Sequence, residues 1–451
     1  MRYIPHTENE TREMLQAIGV SAIEDLFADV PAAVRFPDLD LPPPAAEPEV
    51  AVEMQTLSAA NHGVDPALSF LGAGVYHHFR PATVDYVLSR GEFYTSYTQY
   101  QPEASQGFLQ ALFEYQSMIC RLTGMEVSNA SHYDGATALA EAVLLAINVG
   151  AGKRRKVVLS PAVHPQYRAV VRTYLSGNQA ASVVGDEDAT AGLDRLTALL
   201  DDDCAALVIQ NPNFFGQCEA VDGLADAVHR AGALLIVVAD PIALGLFQPP
   251  GAYGADVVVA DGQPLGIPPS FGGPHLGIFA TRMAHVRRLS GHLVGETTDA
   301  QGRRGYVLTL ATREQHIRRA KATSNICTNS ALCALAATVY LATLGRRGLR
   351  RVAELCFHNA HYAASEIGRL DGFAVNPQAP TQPFFKEFVV RLPAPVAEVN
   401  ARLRERHGIV GGYDLGRDYP GMDNHMLVAV TELNRRANID RLVSALREAV
   451  Q

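Results

Sequence analysis

Between residues 105 and 261 the spacing of apolar positions changes repeatedly. The stretch ASQGFLQALFEYQSMICRLTGM places Leu109, Leu112, Phe113 and Ile119 at helical intervals, with Gly124 as a stop. DGATALAEAVLLAINVGAG predicts a second helix, with Asp134 near its start and Gly150 at its end. Short apolar runs then alternate with helical ones. KVVLS precedes PQYRAVVRTYL, ASVVG precedes LDRLTALL, AALVIQ precedes DGLADAVHRAG, and ALLIVVAD leads by a short link to ADVVVAD. Such a βα series builds a mainly parallel sheet with helices on both faces. Unbroken runs such as LLIVV suit strands covered on both sides.

The flanks have different patterns. Thr7 with Glu10 and Ser21 with Glu24 are spaced as capping boxes before MLQAIGV and IEDLFADV, and Pro31 ends the second. PDLDLPPPAAEPE (37–49) is an extended connector, and VEMQTLSAANH is a further helix. From about residue 328 the order is ALCALAATVYLATL, a helix over 351–369, strand FFKEFVVRL, helix EVNARLRERHG, strand MLVAVTEL and a closing helix NIDRLVSALREAV. The expected division is a helical extension over 1–85, a large α/β domain over 86–327 and a small α+β domain over 328–451.

Composition narrows the function classes. A chain of 451 residues with 48% hydrophobic and 19% charged positions supports a large core. A net charge of −9 argues against nucleic acid as a partner, since phosphate binding needs a basic surface. The six cysteines are scattered without CxxC spacing, so neither a metal site nor a disulfide framework is expected, and a reducing cytoplasm fits. MRYIPHTENE has no apolar core, so no secretory signal is expected, and no long uninterrupted apolar run suggests a membrane span.

A large α/β domain followed by a small α+β domain is a common layout for pyridoxal-phosphate (PLP) enzymes. The expected fold is therefore the PLP-dependent transferase fold, aspartate aminotransferase-like, fold type I. A PLP site needs an anion-binding helix start, an aspartate for the pyridine nitrogen and a lysine for the imine. SHYDGAT (131–137), with Gly135, opens a helix and could hold a phosphate, or it could be an ordinary capped start. Asp240 follows LLIVVA and could meet the pyridine nitrogen, or it could form a simple strand-end turn. The lysine is missing. After ADVVVAD the chain reads GQPLGIPPSFGGPHLG, with Gln263 in the expected place, and an amide forms no imine. The only lysines are Lys153, Lys156, Lys321 and Lys386. The first two precede a strand on the far side. Lys386 is expected at a strand start in the small domain, which leaves Lys321 as the one rival.

Other residues remain as site candidates. GEFYTSYTQYQPEASQG (91–107) sets Tyr94, Tyr97 and Tyr100 beside Glu103. These hydroxyls could bind a carboxylate or a sulfur arm while the rings exclude water, and Glu103 could hold an amine or carry a proton. The alternative is a structural turn at a subunit interface, with Glu103 starting the next helix. In TSNICT (323–328), Ser324 and Asn325 could cap the following helix or line a cleft. His164 opens a turn where a histidine could stack on a cofactor ring; without PLP in this chain, His132 and His164 would be relic or interface residues. FGGPHLG (271–277) is a tight turn before strand LGIFA.

Four long motifs, YTSYTQYQPEASQG, NASHYDGATALAEA, GQPLGIPPSFGGPHLG and RGYVLTLATREQHIRRAKATSNICTN, resemble the glycine decarboxylase P-protein of the glycine cleavage system. The likeness runs from IPHTENE to the end and is nearer to the alpha, or first, subunit of the two-chain form. The resemblance implies decarboxylation of glycine on PLP and transfer of the aminomethyl group to the lipoyl arm of the H-protein. It implies that a beta partner carries PLP and its lysine in an α2β2 assembly. It further implies that Tyr94, Tyr97, Tyr100, Glu103, Ser324 and Asn325 wall a shared site. His132, Gly135, His164, Asp240 and Gln263 are then relic positions.

Overall fold

The apolar runs of the middle of the chain assemble into one seven-stranded sheet. A computed structural model describes residues 5–61, 63–151, 153–177, 181–188, 191–322, 324–326 and 328–450. The strands are β1 (Val127–Ser128), β2 (Lys156–Leu159), β3 (Ser182–Val184), β4 (Cys204–Asn211), β5 (Leu234–Ala239), β6 (Val257–Asp261) and β7 (Gly277–Thr281). Their order is β1-β7-β6-β5-β4-β2-β3. Strands β2 to β6 pair in parallel, as the βα series requires, while β7 and β1 join antiparallel. Alternate residues of one strand enter opposite cores. Leu207, Ile209, Leu235 and Val237 pack with the helix Gln106–Thr123, and Ala206, Val208, Ile236 and Val238 pack with Gly135–Val149 and Pro165–Leu175. Burial on both faces is why these strands carry no polar alternation.

The chain forms two compact units, Met1–Gly63 and Val64–Gln451. In the first, Thr7 and Glu10 close the expected capping box on the helix Glu8–Ile18. The box expected from Ser21 and Glu24 does not form. Asp25 Oδ2 accepts from the Ser21 and Ala22 amides at 3.0 and 2.9 Å, and a short 3-10 turn, Ile23–Phe27, replaces the helix. The helix Glu47–Ala59 starts inside the expected connector, because Pro48 is harmless in a first turn where no amide is needed.

In the second unit, β8 (Leu293–Thr298) and β9 (Arg304–Thr309) form a hairpin that the sequence pattern does not announce. The strands β10 (Ala374–Val375), β11 (Glu387–Arg391), β12 (Tyr413–Asp414) and β13 (His425–Ala429) form an antiparallel sheet in the order β10-β11-β13-β12. Phe388, Val390, Met426 and Val428 face the helices Val396–His407 and Arg436–Ala449. On the other face Val389 and Leu427 meet Phe214, from the loop after β4. The span Ala331–Ile367 breaks at Gly345 (φ 57°, ψ −176°), so it holds the two helices expected there. No helix among the described residues is long and apolar enough to cross a membrane.

Two joints bring the small sheet to the carboxyl edge of the large one. Gln217 forms a β-bridge with Phe384, and the Phe385 amide donates to Gly216 O at 3.0 Å. This edge, where Asp240 and Asp261 end adjacent parallel strands, is where open α/β sheets place ligand crevices.

Candidate functional site

At the carboxyl edge lies a cavity of about 40 Å³, lined by Gly74, Tyr76, His164, Tyr167, Asp240 and Asp261 among others. Pockets for drug-sized or cofactor-sized molecules run to roughly 300–1,000 Å³, so this one has room for a few waters. Each place where PLP would be held is already engaged. Asp240 Oδ1 accepts the Ile242 amide at 2.9 Å, and its Oδ2 lies 2.7 Å from Lys386 Nζ. His164 is stacked by Tyr167, with centroids 4.9 Å apart and planes 26° apart. The Gly135 amide donates to Asp261 Oδ2 at 3.2 Å. A Cβ on Gly135 would lie 2.3 Å from Tyr167 Oη, so the phenol crowds the helix start. The residues present do not fit PLP.

Gln263 is buried and fully used. Its Oε1 accepts from the Tyr76 amide at 2.9 Å, and its Nε2 donates to Tyr76 O at 2.9 Å and Ile267 O at 2.7 Å. His164 donates from Nε2 to Ala73 O at 2.9 Å and accepts the Gln166 amide at Nδ1, and burial lowers its pKa. Both bonds suit the neutral ring.

Lys386 is 1% exposed and its Nζ lies 3.5 Å from the Tyr76 ring centroid, a cation–π contact in a desolvated place. The next residue, Glu387, is also buried. Burial raises its pKa to about 7, against the opposing pull of Lys386 and of hydrogen bonds from the Ala73 amide and the Tyr76 hydroxyl, both 2.8 Å. Lys386 Nζ further reaches His78 Nε2 at 3.4 Å, and His78 Nδ1 meets Glu432 at 2.7 Å. Burial raises the Glu432 pKa, but His78 and the hydrogen bond from the Phe79 amide outweigh it and hold it at about 2. His78, Cys356 and Glu432 lie close enough together to share a metal ion. The ammonium beside His78 opposes a second cation, and the Cys356 thiol donates to Glu432 at 3.4 Å. The trio makes a hydrogen-bonded chain.

The tyrosine loop is elsewhere. Tyr94, Tyr97 and Tyr100 are 69%, 77% and 45% exposed, too open for a turn packed inside this chain. Glu103 is exposed in the turn Pro102–Ala104 and does not start the helix, whose N-cap position is Ser105. Thr98 Oγ1 meets Thr328 Oγ1 at 2.6 Å and ties the loop to the segment that carries Ser324 and Asn325. Ser324 Oγ donates to Glu141 at 2.6 Å, and Asn325 is exposed. Neither caps the helix after them, which starts further on, with Ser330 at its N-cap. Thr323 and Cys327 lie outside the described residues.

Under the loop, Tyr100 packs edge-on against His292 and His316, at 5.8 and 5.1 Å. His132 belongs to this cluster and not to the cavity of His164. Its Nε2 lies 2.9 Å from Ser290 Oγ, and burial lowers its pKa to about 3, so it is neutral at physiological pH. Asn129 Oδ1, His132 Nδ1, His292 Nε2 and Asn329 Oδ1 are buried without a hydrogen-bond partner in the chain among the described residues. Buried polar groups are normally paired, with another group of the protein or with water.

The expected residues therefore divide into two places. His164, Asp240 and, through Asp261, Gly135 gather at the cavity, with Gln263 behind Tyr76. Tyr100 and His132 lie with the loop cluster. Lys321 is exposed in the turn Arg319–Lys321 and does not line the cavity. Lys386, Tyr167 and Asp261 are not foreseen from sequence. Two signals were available: Tyr167 lies one turn after His164, and Asp261 ends ADVVVAD as Asp240 ends LLIVVAD.

Comparison with known proteins points one way. The family model described as glycine cleavage system P-protein matches residues 1–446. A probable glycine dehydrogenase (decarboxylating) subunit 1 from Thermomicrobium roseum is 55% identical over 451 residues, covering 100% of both chains. One of the same description from Geobacillus kaustophilus is 54% identical, covering 99% of this chain and 98% of that one. A crystal structure of glycine decarboxylase (P-protein) of the glycine cleavage system, in inhibitor-bound form, superposes with a TM-score of 0.89 at 46% identity over 100% of both chains. A Burkholderia pseudomallei sphingosine-1-phosphate lyase shares the fold alone, at 16% identity, a TM-score of 0.66 and coverage of 93% and 94% of the two chains.

Proposed function

We propose a function from one premise: the chain belongs to the glycine cleavage system P-protein family. It has the fold of PLP-dependent fold type I enzymes and acts as subunit 1 of glycine dehydrogenase (decarboxylating), together with a second subunit. In this reading two copies of each subunit assemble in the cytoplasm. The partner holds PLP on its own lysine and supplies the electron sink for loss of CO2 from glycine, and the lipoyl arm of the H-protein takes up the aminomethyl group. This chain contributes a wall to that site.

The observation that carries the reading is the contrast between the two places described. The cavity that corresponds to a cofactor site is small, and its Asp240 and His164 are bonded within the chain, with Gln263 where an imine lysine would stand. The tyrosine loop offers exposed rings and hydroxyls above buried polar atoms that have no hydrogen-bond partner among the described residues. Tyr94, Tyr97 and Tyr100 exclude water and donate hydrogen bonds to a carboxylate or a sulfur, Glu103 takes a proton or holds an ammonium, and Ser324 and Asn325 border them.

The test is glycine–bicarbonate exchange with purified subunits and lipoylated H-protein. This chain alone is expected to be inactive, and addition of the partner restores exchange. Tyr97→Phe and Glu103→Gln are expected to lower the rate of a complex that still assembles. A subunit that only props up its partner would leave the rate unchanged. A chain active alone would favour a self-sufficient PLP enzyme, which the exposed position of Lys321 does not support.

A further inference from the structure

We infer that this chain occupies its own cofactor pocket, with the Lys386 ammonium as a built-in ligand of Asp240. The inference rests on the reading that PLP belongs to the partner, and it deepens that reading. Absence of an imine lysine explains only why no covalent bond forms. It does not explain why the cofactor's remaining contacts are closed.

Three groups from three parts of the chain close them. Lys386 enters from the strand β11 side and gives Asp240 the N–H donor and positive charge that a pyridinium nitrogen would give, at 2.7 Å. Its ammonium also covers the Tyr76 face at 3.5 Å. Tyr167 lies on His164 where an aromatic cofactor would stack. The Asp261 carboxylate takes the Gly135 amide, the donor a phosphate would use at a helix start. The remaining cavity of about 40 Å³ is the space left over.

Asp240, Tyr76 and His78 thus form an ammonium site whose natural occupant is tethered. A carboxylate, an aromatic face and an imidazole nitrogen are the acceptors that recognise a primary ammonium. The ligand class is a primary alkylammonium, matched here by the end of a lysine side chain.

The experiment uses the full-length chain, alone and assembled with its partner. In Lys386→Ala the lost atoms correspond to n-propylammonium. Thermal unfolding is expected to show a lowered Tm that n-propylammonium chloride largely restores, while tetramethylammonium chloride and n-propanol do not, and the wild-type Tm does not move. A Lys386→Ala chain as stable as wild type, or one that responds equally to all three additives, would overturn the inference. If Lys386→Ala does not fold, Lys386→Met/Asp240→Asn decides. It is expected to melt above Asp240→Asn, which leaves an ammonium unpaired, and a lower Tm contradicts the pairing.

A second arm addresses the cofactor. Gln263→Lys, treated with PLP and borohydride, is expected to carry no label at position 263, because the ring and phosphate positions stay filled. Label at position 263 would overturn the self-occupied pocket while leaving the proposed function standing. An internal-aldimine absorbance of the wild-type chain as isolated, lost on borohydride reduction without added PLP, would instead remove the proposed function.

Discussion

Lys386 Nζ and Asp240 Oδ2 lie 2.7 Å apart, joining the residue just before β11 of the small sheet to the residue just after β5 of the large one. Lys386 is almost wholly buried, so removing its charge leaves a carboxylate poorly solvated and unpaired. Breaking a buried pair from one side typically costs about 3–5 kcal/mol. Lys386→Met is expected to lose that order of stability in urea unfolding at neutral pH.

Glu387 makes stability depend on pH. Its pKa rises from an ordinary 4.5 to about 7 on folding, first because it is buried. The folded state therefore binds more protons than the unfolded state between those values, and this contribution to stability falls as pH rises from 4.5 to 7. Glu387→Gln, neutral throughout, is expected to flatten that slope and to gain on wild type at pH 8. Denaturant midpoints at a series of pH values measure both effects.

Gly216 must stay glycine. Its φ is +84°, and a Cβ there would lie 1.9 Å from the Glu387 carbonyl oxygen, which is backbone and cannot swing aside. Overpacking of this kind costs about 1–3 kcal/mol or more. Gly216→Ala is expected to lower the Tm and to loosen the joint that delivers Lys386, seen as faster hydrogen exchange at the Phe385 amide.

Much of the fold is legible in the sequence, and the reasons are local. Asp134, Gly150, Gly124 and the Thr7–Glu10 box mark helix ends by chemistry that acts within a few residues. Apolar runs from Val157 to Val259 mark strands because both sheet faces are buried. What escapes is non-local. Lys386 reads as an ordinary strand-start lysine because nothing near it in sequence announces Asp240. Asp25 displaces Glu24 at a cap, since a neighbouring carboxylate can reach the same amides. Tyr76 gathers Gln263, Glu387 and Lys386, yet it sits in a stretch without periodicity.

The exposed tyrosines predict a separation of stability from activity. Tyr97 is 77% exposed, so Tyr97→Ala should change the stability of the isolated chain by no more than about 0.5 kcal/mol. Exchange by the assembled enzyme is expected to fall at least about tenfold, equivalent to roughly 1.4 kcal/mol in the transition state. Parallel urea titrations and exchange assays make the comparison.

In the proposed assembly, catalysis takes place on a cofactor held by the second subunit against a wall from this one. The most direct test is reduction of the active, assembled enzyme with tritiated borohydride, followed by separation of the subunits. Label is expected on the partner's lysine and none on this chain. Label on Lys321 or Lys386 of this chain would contradict it.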